Sequence, residues 1–528
     1  MRFRSVAAIR QREAVAIGQG LPAAVLMERA GTGLARAIYR LLRARGGSMC
    51  LFATGHGNNG GDAFVAARLL EQWGVRCELR LTAAPAALKG AARQAWELHE
   101  AAAAPHAVVD MVDRDVLWRE SDPAAAVPPD AVVVDALLGT GARGAPDGTI
   151  RAAIDWIHCC APHAAIVAVD LPSGMDGDTG APLGGASVRA DLTVTFDAPK
   201  RGFQFPCAWP ALGRVETVDI GLPDDGGEPN DEHGACDALT ATDLAPLIRR
   251  RRRDSHKGDY GHLLVVGGSA GMAGAPALAA LGALRAGAGL VSALVPACAA
   301  ATLATCVPEA MTFTLPERGE AAAGTALPLG RRTLTDFDTL VAGPGLGTDD
   351  GARGRIAALL AAAPPRLLLD ADALNVLALD RPLRTLGGPG RVILTPHPGE
   401  AARLLGTTTA AVQGDRAAAV RRLADATGAV VVLKGCATLV CAPGGRPLMN
   451  LTGNPGLASG GSGDVLSGVI GALWGQGLSA PEAAALGVYL HATAADLAAW
   501  RGGEAALIAR DVAAHLGEAA ATLGAGHP

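Results

Sequence analysis

Ala131-Val132-Val133-Val134-Asp135-Ala136-Leu137-Leu138-Gly139-Thr140-Gly141-Ala142-Arg143-Gly144 is the stretch that decides the fold. A run this apolar reads as a buried strand, and it ends on an aspartate. A carboxylate on such a strand is costly unless it is paired or binds a cation. The glycines beyond it make a phosphate-sized loop, and Arg143 offers a bidentate donor. Similar apolar runs occupy residues 49–53, 76–81 and 165–170, and another at 192–196 leads into Asp197-Ala198-Pro199-Lys200-Arg201-Gly202. Helical patterns alternate with them, beginning with a repeat of about 3.6 through Leu26, Leu34, Ile38 and Leu41. Val-rich strands alternating with helices predict a parallel sheet covered on both faces.

The alternation restarts further along. Residues 262–266 read as a strand entering Gly267-Gly268-Ser269, and 274–287 as a helix of small residues. Strand patterns at 340–342, 367–369, 392–394 and 430–433 end on Gly343-Pro344-Gly345-Leu346-Gly347, Asp370-Ala371-Asp372, Thr395-Pro396-His397-Pro398-Gly399-Glu400 and Lys434-Gly435. Glycine or polar residues at every strand end are expected where the carboxyl edge of a parallel sheet forms the ligand crevice. Between the halves, Pro223-Asp224-Asp225-Gly226-Gly227-Glu228-Pro229-Asn230 reads as a linker, so the expected domains are residues 1–222 and 240–528, joined by 223–239.

Composition narrows the function. The net charge of −5 gives no electrostatic case for nucleic acid or an anionic membrane. The five arginines at 249–253 are short and isolated, and read as a solvated face or a contact to ligand phosphates. The cysteines show no metal spacing and read as reduced thiols of a cytoplasmic protein. The start lacks the apolar run of a signal peptide, and 273–290 is broken by Arg285 and glycines, as in a buried helix rather than a membrane span.

Two glycine-rich stretches end in aspartate. In the first, Asn58-Asn59-Gly60-Gly61-Asp62 follows a strand and precedes a helix at 64–70. Backbone N–H groups and the helix dipole there favour an anion, and an asparagine oxygen suits a hard cation. A simple helix cap needs only one Asn or Asp and one Gly. Asp170-Leu171-Pro172-Ser173-Gly174 repeats the strand-end aspartate of Asp135. Together these motifs, with Leu26–Gly31 and Asp178-Thr179-Gly180, resemble the NAD(P)H-hydrate epimerases over roughly residues 1–222. Ala63 stands where that family has glycine, which removes no polar group. The resemblance implies a Rossmann-like three-layer domain that interconverts the R and S epimers at C6 of hydrated NADH or NADPH. It implies a potassium ion on Asn59, Asp135 and Ser173, and substrate contacts from Asn58, Asn59, Gly60, Gly61 and Asp62, from Gly139, Thr140, Gly141, Ala142, Arg143, Gly144 and Ala145, and from Asp170. Epimerisation needs a carboxylate near C6; Asp170 is the candidate acid/base and Asp135 the better cation ligand, and which one moves the proton stays open.

In the second, Gly460-Gly461-Ser462-Gly463-Asp464 opens a helix at 465–473. Such a loop surrounds a polyphosphate with backbone donors and sets Asp464 beside a hydroxyl as base; the plain alternative is a capping aspartate. Lys434-Gly435-Cys436-Ala437-Thr438 suits a nucleotide, or is an ordinary strand-to-turn lysine. No G-x-x-x-x-G-K-[ST] is present, which argues against a P-loop enzyme. With His256-Lys257-Gly258, Gly343–Gly347 and Pro396-His397-Pro398-Gly399-Glu400, these residues resemble the ADP- or ATP-dependent NAD(P)H-hydrate dehydratases of the ribokinase-like superfamily, over roughly residues 240–520. That resemblance implies a ribokinase-like three-layer domain with a mostly parallel sheet. It implies hydrate contacts from Ala275, Gly345, His397 and Asp464, and nucleotide contacts from Lys434, Gly435, Cys436, Ala437 and Thr438 and from Gly460, Gly461, Ser462 and Gly463. Asp464 is then the catalytic base, ADP or ATP the co-substrate, and magnesium is held on the phosphates, with Asp372 or Glu400 reaching it through water.

The expectation is a bifunctional repair enzyme for hydrated nicotinamide cofactors, with a homo-oligomer expected. Two other readings stay open: a ribokinase-like kinase of a vitamin precursor, and a first domain that only binds ligand or partner.

Overall fold

The computed structural model describes residues 1–102, the backbone of 107–110, and residues 127–223, 236–315, 327–379, 385–388 and 390–524. The chain divides into two compact units, Met1–Gly234 and Ala235–Pro528. Most of the expected linker, residues 224–235, lies outside the described residues. Its last part is corrected: Asp237–Leu239 is a strand paired in parallel with Leu448–Asn450 at the edge of the second sheet.

The first unit is built on seven parallel strands in the order Ala107–Asp110, Arg76–Leu81, Met49–Thr54, Val132–Ala136, Ala165–Val169, Leu192–Phe196, Arg214–Val218. Alternate residues face opposite layers. Leu51, Ala53, Val133, Ile166 and Ala168 pack with Ala153, Ile154 and Ile157 of the helix Gly148–Cys160. The helices Ala23–Arg45 and Asn58–Gln72 also pack on the sheet. The chain runs outward from Met49–Thr54 in one direction, then returns to Val132–Ala136 and continues in the other. Loops diverge at that switch point and leave a crevice at the carboxyl edge. The divergence starts from close contact, since a Cβ on Gly55 would lie 2.0 Å from the Leu137 carbonyl oxygen.

The second unit repeats the plan with ten strands. His262–Val266 lies between Leu290–Pro296 and Thr339–Ala342, so its switch point is where Gly267 meets the Gly343–Gly347 loop. Gly268 N–H donates to the Pro344 carbonyl at 2.9 Å. Six neighbouring pairs, from Met311–Leu315 through Val430–Leu433, are parallel; Leu439–Cys441 pairs antiparallel on both sides. Leu263, Val265, Val341, Leu368 and Ile393 join one core with the helices Gly274–Arg285, Ser462–Gly475 and Ala480–Gly502. The alternate residues Leu264, Val266, Leu340 and Leu369 are buried as well, so both faces are covered. No described helix is long and apolar enough to cross a membrane.

Both glycine-rich stretches differ from the sequence expectation in one respect. Their helices start earlier, at Asn58 and at Ser462, so Asp464 lies in the first helical turn and Asp62 just past it, rather than in loops.

Candidate active sites at the two carboxyl edges

Asp135 ends the strand beside the first switch point and is fully buried. Ser173 satisfies it twice, the hydroxyl donating to Oδ1 at 2.5 Å and the backbone N–H to Oδ2 at 2.8 Å. Burial pushes the carboxyl up, these bonds hold it down, and the balance is about 6. The Leu138 carbonyl accepts from the Asn59 amide at 3.1 Å, and Leu138 N–H donates to Ser173 Oγ at 2.9 Å. A Cβ on Gly139 would lie 3.2 Å from Asn59 Oδ1. Asn59, Asp135, Ser173 and Gly139 are therefore one cluster of oxygens at the switch point.

Asp170 sits just past its strand with φ +66, a strained value for a non-glycine residue. Lys200, 1% exposed, donates to its Oδ1 at 2.5 Å. The lysine also donates to the Phe196 carbonyl at 3.2 Å. The opening helix Val6–Gly18 lies over this edge: Val6 N–H donates to Asp178 at 2.9 Å, Arg10 to the Thr140 carbonyl at 2.6 Å, and Arg12 to Asp197 at 3.0 Å. It brings Glu13, whose carboxyl is raised by burial and then by Asp170. Asp62 is buried and raised well above the carboxylate range by burial, then by Asp170 and Glu13. Asn58 and Arg143 are exposed, and Ala142 turns back on Gly139 through a 3.1 Å backbone bond. Gly144 has φ +78 with open space around it, and Ala145 abuts Gly184. Gly60 and Gly61 are buried, and their missing Cβ atoms admit the Gly55 carbonyl and the Met27 side chain, so they are packing positions. Lys200 and Glu13 were not singled out from sequence. Lys200 stood in a noted strand-end motif, whereas Glu13 left no local signal.

In the second unit the centre is Asp370, 1% exposed. Lys434 Nζ donates to its Oδ1 at 2.7 Å and Ser467 Oγ to its Oδ2 at 2.5 Å. Lys434 also lies 4.0 Å from Glu400. Burial pulls the lysine down, but Asp370, Glu400 and Asp464 outweigh it and raise the ammonium above its usual range. Asp464 is pushed up to about 7 by burial and then Asp370, with Lys434 opposing. Glu400 also reaches about 7, by burial against Lys434. His397 caps its helix, Nδ1 accepting from Gly399 N–H at 3.0 Å, while Glu400 accepts from His397 N–H at 2.7 Å. Burial, then Lys434 and Arg403, lower the imidazole. Asp372 accepts from Gly347 N–H at 2.8 Å, tying the switch-point loop to this cluster. Gly345, φ +61, adjoins Ala275, which a Cβ there would approach to 3.2 Å.

The predicted nucleotide segment is shaped by a residue absent from the sequence reading. Arg416, 8% exposed, donates to the carbonyls of Leu433 at 3.2 Å, Lys434 at 3.3 Å and Ala437 at 3.5 Å. Thr438 hydroxyl closes the turn on the Gly435 carbonyl at 2.9 Å, and Cys436 is exposed. Gly461, φ +90, turns the chain into its helix, and Ser462 Oγ donates back to Leu457 at 2.9 Å. His491 Nε2 meets the Ser462 carbonyl at 2.9 Å, and Asp496 accepts from Gly453 N–H at 2.9 Å, so one buried helix holds this loop at two points.

Comparison with known proteins follows this division. Residues 23–202 match the family model of the YjeF-related protein N-terminus, and 263–516 that of the NAD(P)H-hydrate dehydratases. A bifunctional NAD(P)H-hydrate repair enzyme of Moorella thermoacetica is 41% identical over 93% of this chain and 91% of its own length. The chain belongs to the bifunctional NAD(P)H-hydrate repair enzymes. Its Escherichia coli relative of the same description is 39% identical over 88% of this chain and 83% of its own. An ADP-dependent (S)-NAD(P)H-hydrate dehydratase of Neisseria meningitidis is 46% identical over 52% of this chain and 90% of its own. A crystal structure of an ADP/ATP-dependent NAD(P)H-hydrate dehydratase from Bacillus subtilis, co-crystallised with ATP/Mg2+, is similar at 31% identity and TM-score 0.49, covering 55% of this chain and 99% of that one. Both units are α/β domains built on mostly parallel sheets.

Proposed function

We propose that residues 1–222 interconvert R- and S-NAD(P)HX, and that residues 240–528 dehydrate the S form to NAD(P)H with ADP or ATP. With ADP the products are AMP and phosphate. What supports the second half above all is Asp464, a half-buried acid at a helix start, facing Lys434 across open backbone at Gly463. Asp464 takes the proton of the C6 hydroxyl as that oxygen attacks the terminal phosphorus. Lys434 and the N–H groups of residues 460–463 balance the phosphate charge, and Lys434–Thr438 hold the nucleotide. Phosphate then leaves C6 with the C–O electron pair while N1 supplies electrons, and loss of a C5 proton restores the dihydropyridine. Ala275, Gly345 and His397 hold the hydrate.

In the first unit, Asp170 acts at C6, and the helix start at 58–62 and the loop at 139–145 hold the substrate. The oxygen-only set of Asn59, Asp135 and Ser173 fits a hard monovalent cation and would hold K+, which would supply positive charge to the site. Among the described residues no group of three or more His, Cys, Asp or Glu side chains is arranged to hold a metal. Mg2+ would ride on the nucleotide phosphates, with Asp372 or Glu400 reaching it through water.

The test gives mixed-epimer hydrate and ADP or ATP to the purified chain and follows the reduced-nicotinamide absorbance. Full recovery is expected, with Asp170→Ala recovering only the S fraction. A phosphorylated hydrate or vitamin precursor that accumulates would instead establish a kinase.

A further inference from the structure

One buried acid in the first unit remains after the oxygen cluster and the Asp170–Lys200 pair are accounted for. Asp62 is 8% exposed, and its carboxyl has no hydrogen-bond or salt-bridge partner among the described residues. It stands just past the first turn of the helix Asn58–Gln72, which follows the strand Met49–Thr54; Asp170 directly follows the strand Ala165–Val169. Only Val132–Ala136 separates these strands, and all three open onto the same carboxyl edge.

The two acids are held differently. Every hydrogen bond to Asp170 ends on Oδ1, from Lys200 at 2.5 Å, Phe196 N–H at 3.3 Å and Thr195 Oγ1 at 3.4 Å. Among the described residues its Oδ2 accepts no hydrogen bond. Asp170, Glu13 and Lys200 are the charges close enough to act on Asp62. Burial and the two carboxylates push its own carboxyl well up, and Lys200 opposes them from its place on Asp170. Around Glu13 stand Asp170, Lys200, Asp197 and Arg10, and Arg12 is spent on Asp197. Two carboxyl groups at one carboxyl edge, one buried with its carboxyl pushed upward and one paired with a cation, divide into acid and base.

Resting on the epimerase reading of this unit, we infer that Asp62 is a second catalytic residue, the general acid at C6, opposite Asp170 Oδ2 as the base. Asp62 gives its proton to the C6 hydroxyl, and the C–O bond breaks with its electron pair leaving in water. The N1 lone pair forms the N1=C6 bond. Water then adds to the other face, its oxygen pair forming the new C–O bond as the π pair returns to N1, and Asp170 takes the released proton. Exchange with solvent resets both acids, so nothing is consumed. The opposite epimer runs the same steps in reverse.

The experiment uses the full chain, separated R and S hydrates, 18O-water and no nucleotide, so that dehydration is silent. Wild type should place one 18O at C6 per interconversion, with exchange falling at high pH. Asp62→Asn should slow exchange by about 100-fold or more, while Asp62→Glu keeps part of it. Glu13→Gln, which removes a charge facing Asp62, should move the high-pH fall to lower pH; this variant keeps the test decisive where Asp62→Asn unfolds the unit. Interconversion at the wild-type rate by a folded Asp62→Asn, an unmoved fall in Glu13→Gln, or interconversion without 18O would each overturn the acid–base pair and leave the epimerase reading standing. A wild-type chain that exchanges no epimers would overturn that reading itself.

Discussion

In the first unit, a Cβ on Gly60 would lie 2.1 Å from the Gly55 carbonyl oxygen, and one on Gly61 would lie 2.6 Å from the Met27 sulfur. In the second, Gly460 has nothing within 4 Å, and Gly463 would meet only Lys434 Nζ at 3.4 Å. The same residue type therefore serves two ends. The first run is glycine because helix, strand end and neighbouring helix press together there. The second leaves bare backbone open at Gly460 and Gly463, as the proposed nucleotide site needs, while Gly461 between them, φ +90, packs against Leu278. The acids that follow differ in the same sense. Each has a lysine near it that is anchored on another aspartate, Lys200 on Asp170 and Lys434 on Asp370, but Asp62 is buried whereas Asp464 is half-buried.

The largest effect expected from this contrast is on rate. Asp464→Asn should lower dehydration of the S hydrate by about 10²–10⁴-fold, the range for losing a general base, with epimer exchange unchanged; single-turnover kinetics on both reactions checks it. Retained dehydration would remove the base from Asp464.

The glycine contrast is broken or kept by a matched pair. Gly60→Ala should cost the first unit about 1–3 kcal/mol, as overpacking does. Gly460→Ala should stay within about 0.5 kcal/mol of wild type and instead weaken nucleotide binding. Denaturant unfolding and nucleotide titration of both variants decide it, and equal stability losses would erase the distinction.

The smallest effect is a slope with pH. Asp464 is raised from its ordinary range to about 7, so between about pH 4 and pH 7 the folded chain binds a proton there that the unfolded chain has released. That group favours folding less as pH rises through this window. His262 and His491, both lowered to about 4, act in the opposite sense up to about 6.5, so total stability hides it. Asp464→Asn removes the carboxyl alone, and its stability relative to wild type should climb from pH 4 to 7. A flat difference would show that Asp464 titrates normally.

Some of this was written in local sequence. Val-rich runs closing on Asp135, Asp170, Lys434 and the glycine loops were enough for two α/β domains and for most residues at both carboxyl edges. Short or polar strands escaped: Ala107–Asp110, Arg214–Val218, Met311–Leu315 and Asp237–Leu239 have too little apolar run to stand out, and sheet pairing completes them. The helix starts escaped too, because glycine is a poor helix former and reads as loop until packing holds it in the first turn.

Sequence by itself determined the order of strands and helices, the two glycine-rich strand exits and the acids beside them, because periodicity and backbone freedom act between near neighbours. Tertiary structure alone decided which acid each cation holds. Lys200 on Asp170, Lys434 and Ser467 on Asp370, Arg416 under residues 433–437 and Glu13 over the first crevice all join positions distant in the chain. A carboxyl's charge depends on its burial and on the ions brought against it, and both are set only when the strands pair and the helices close over them.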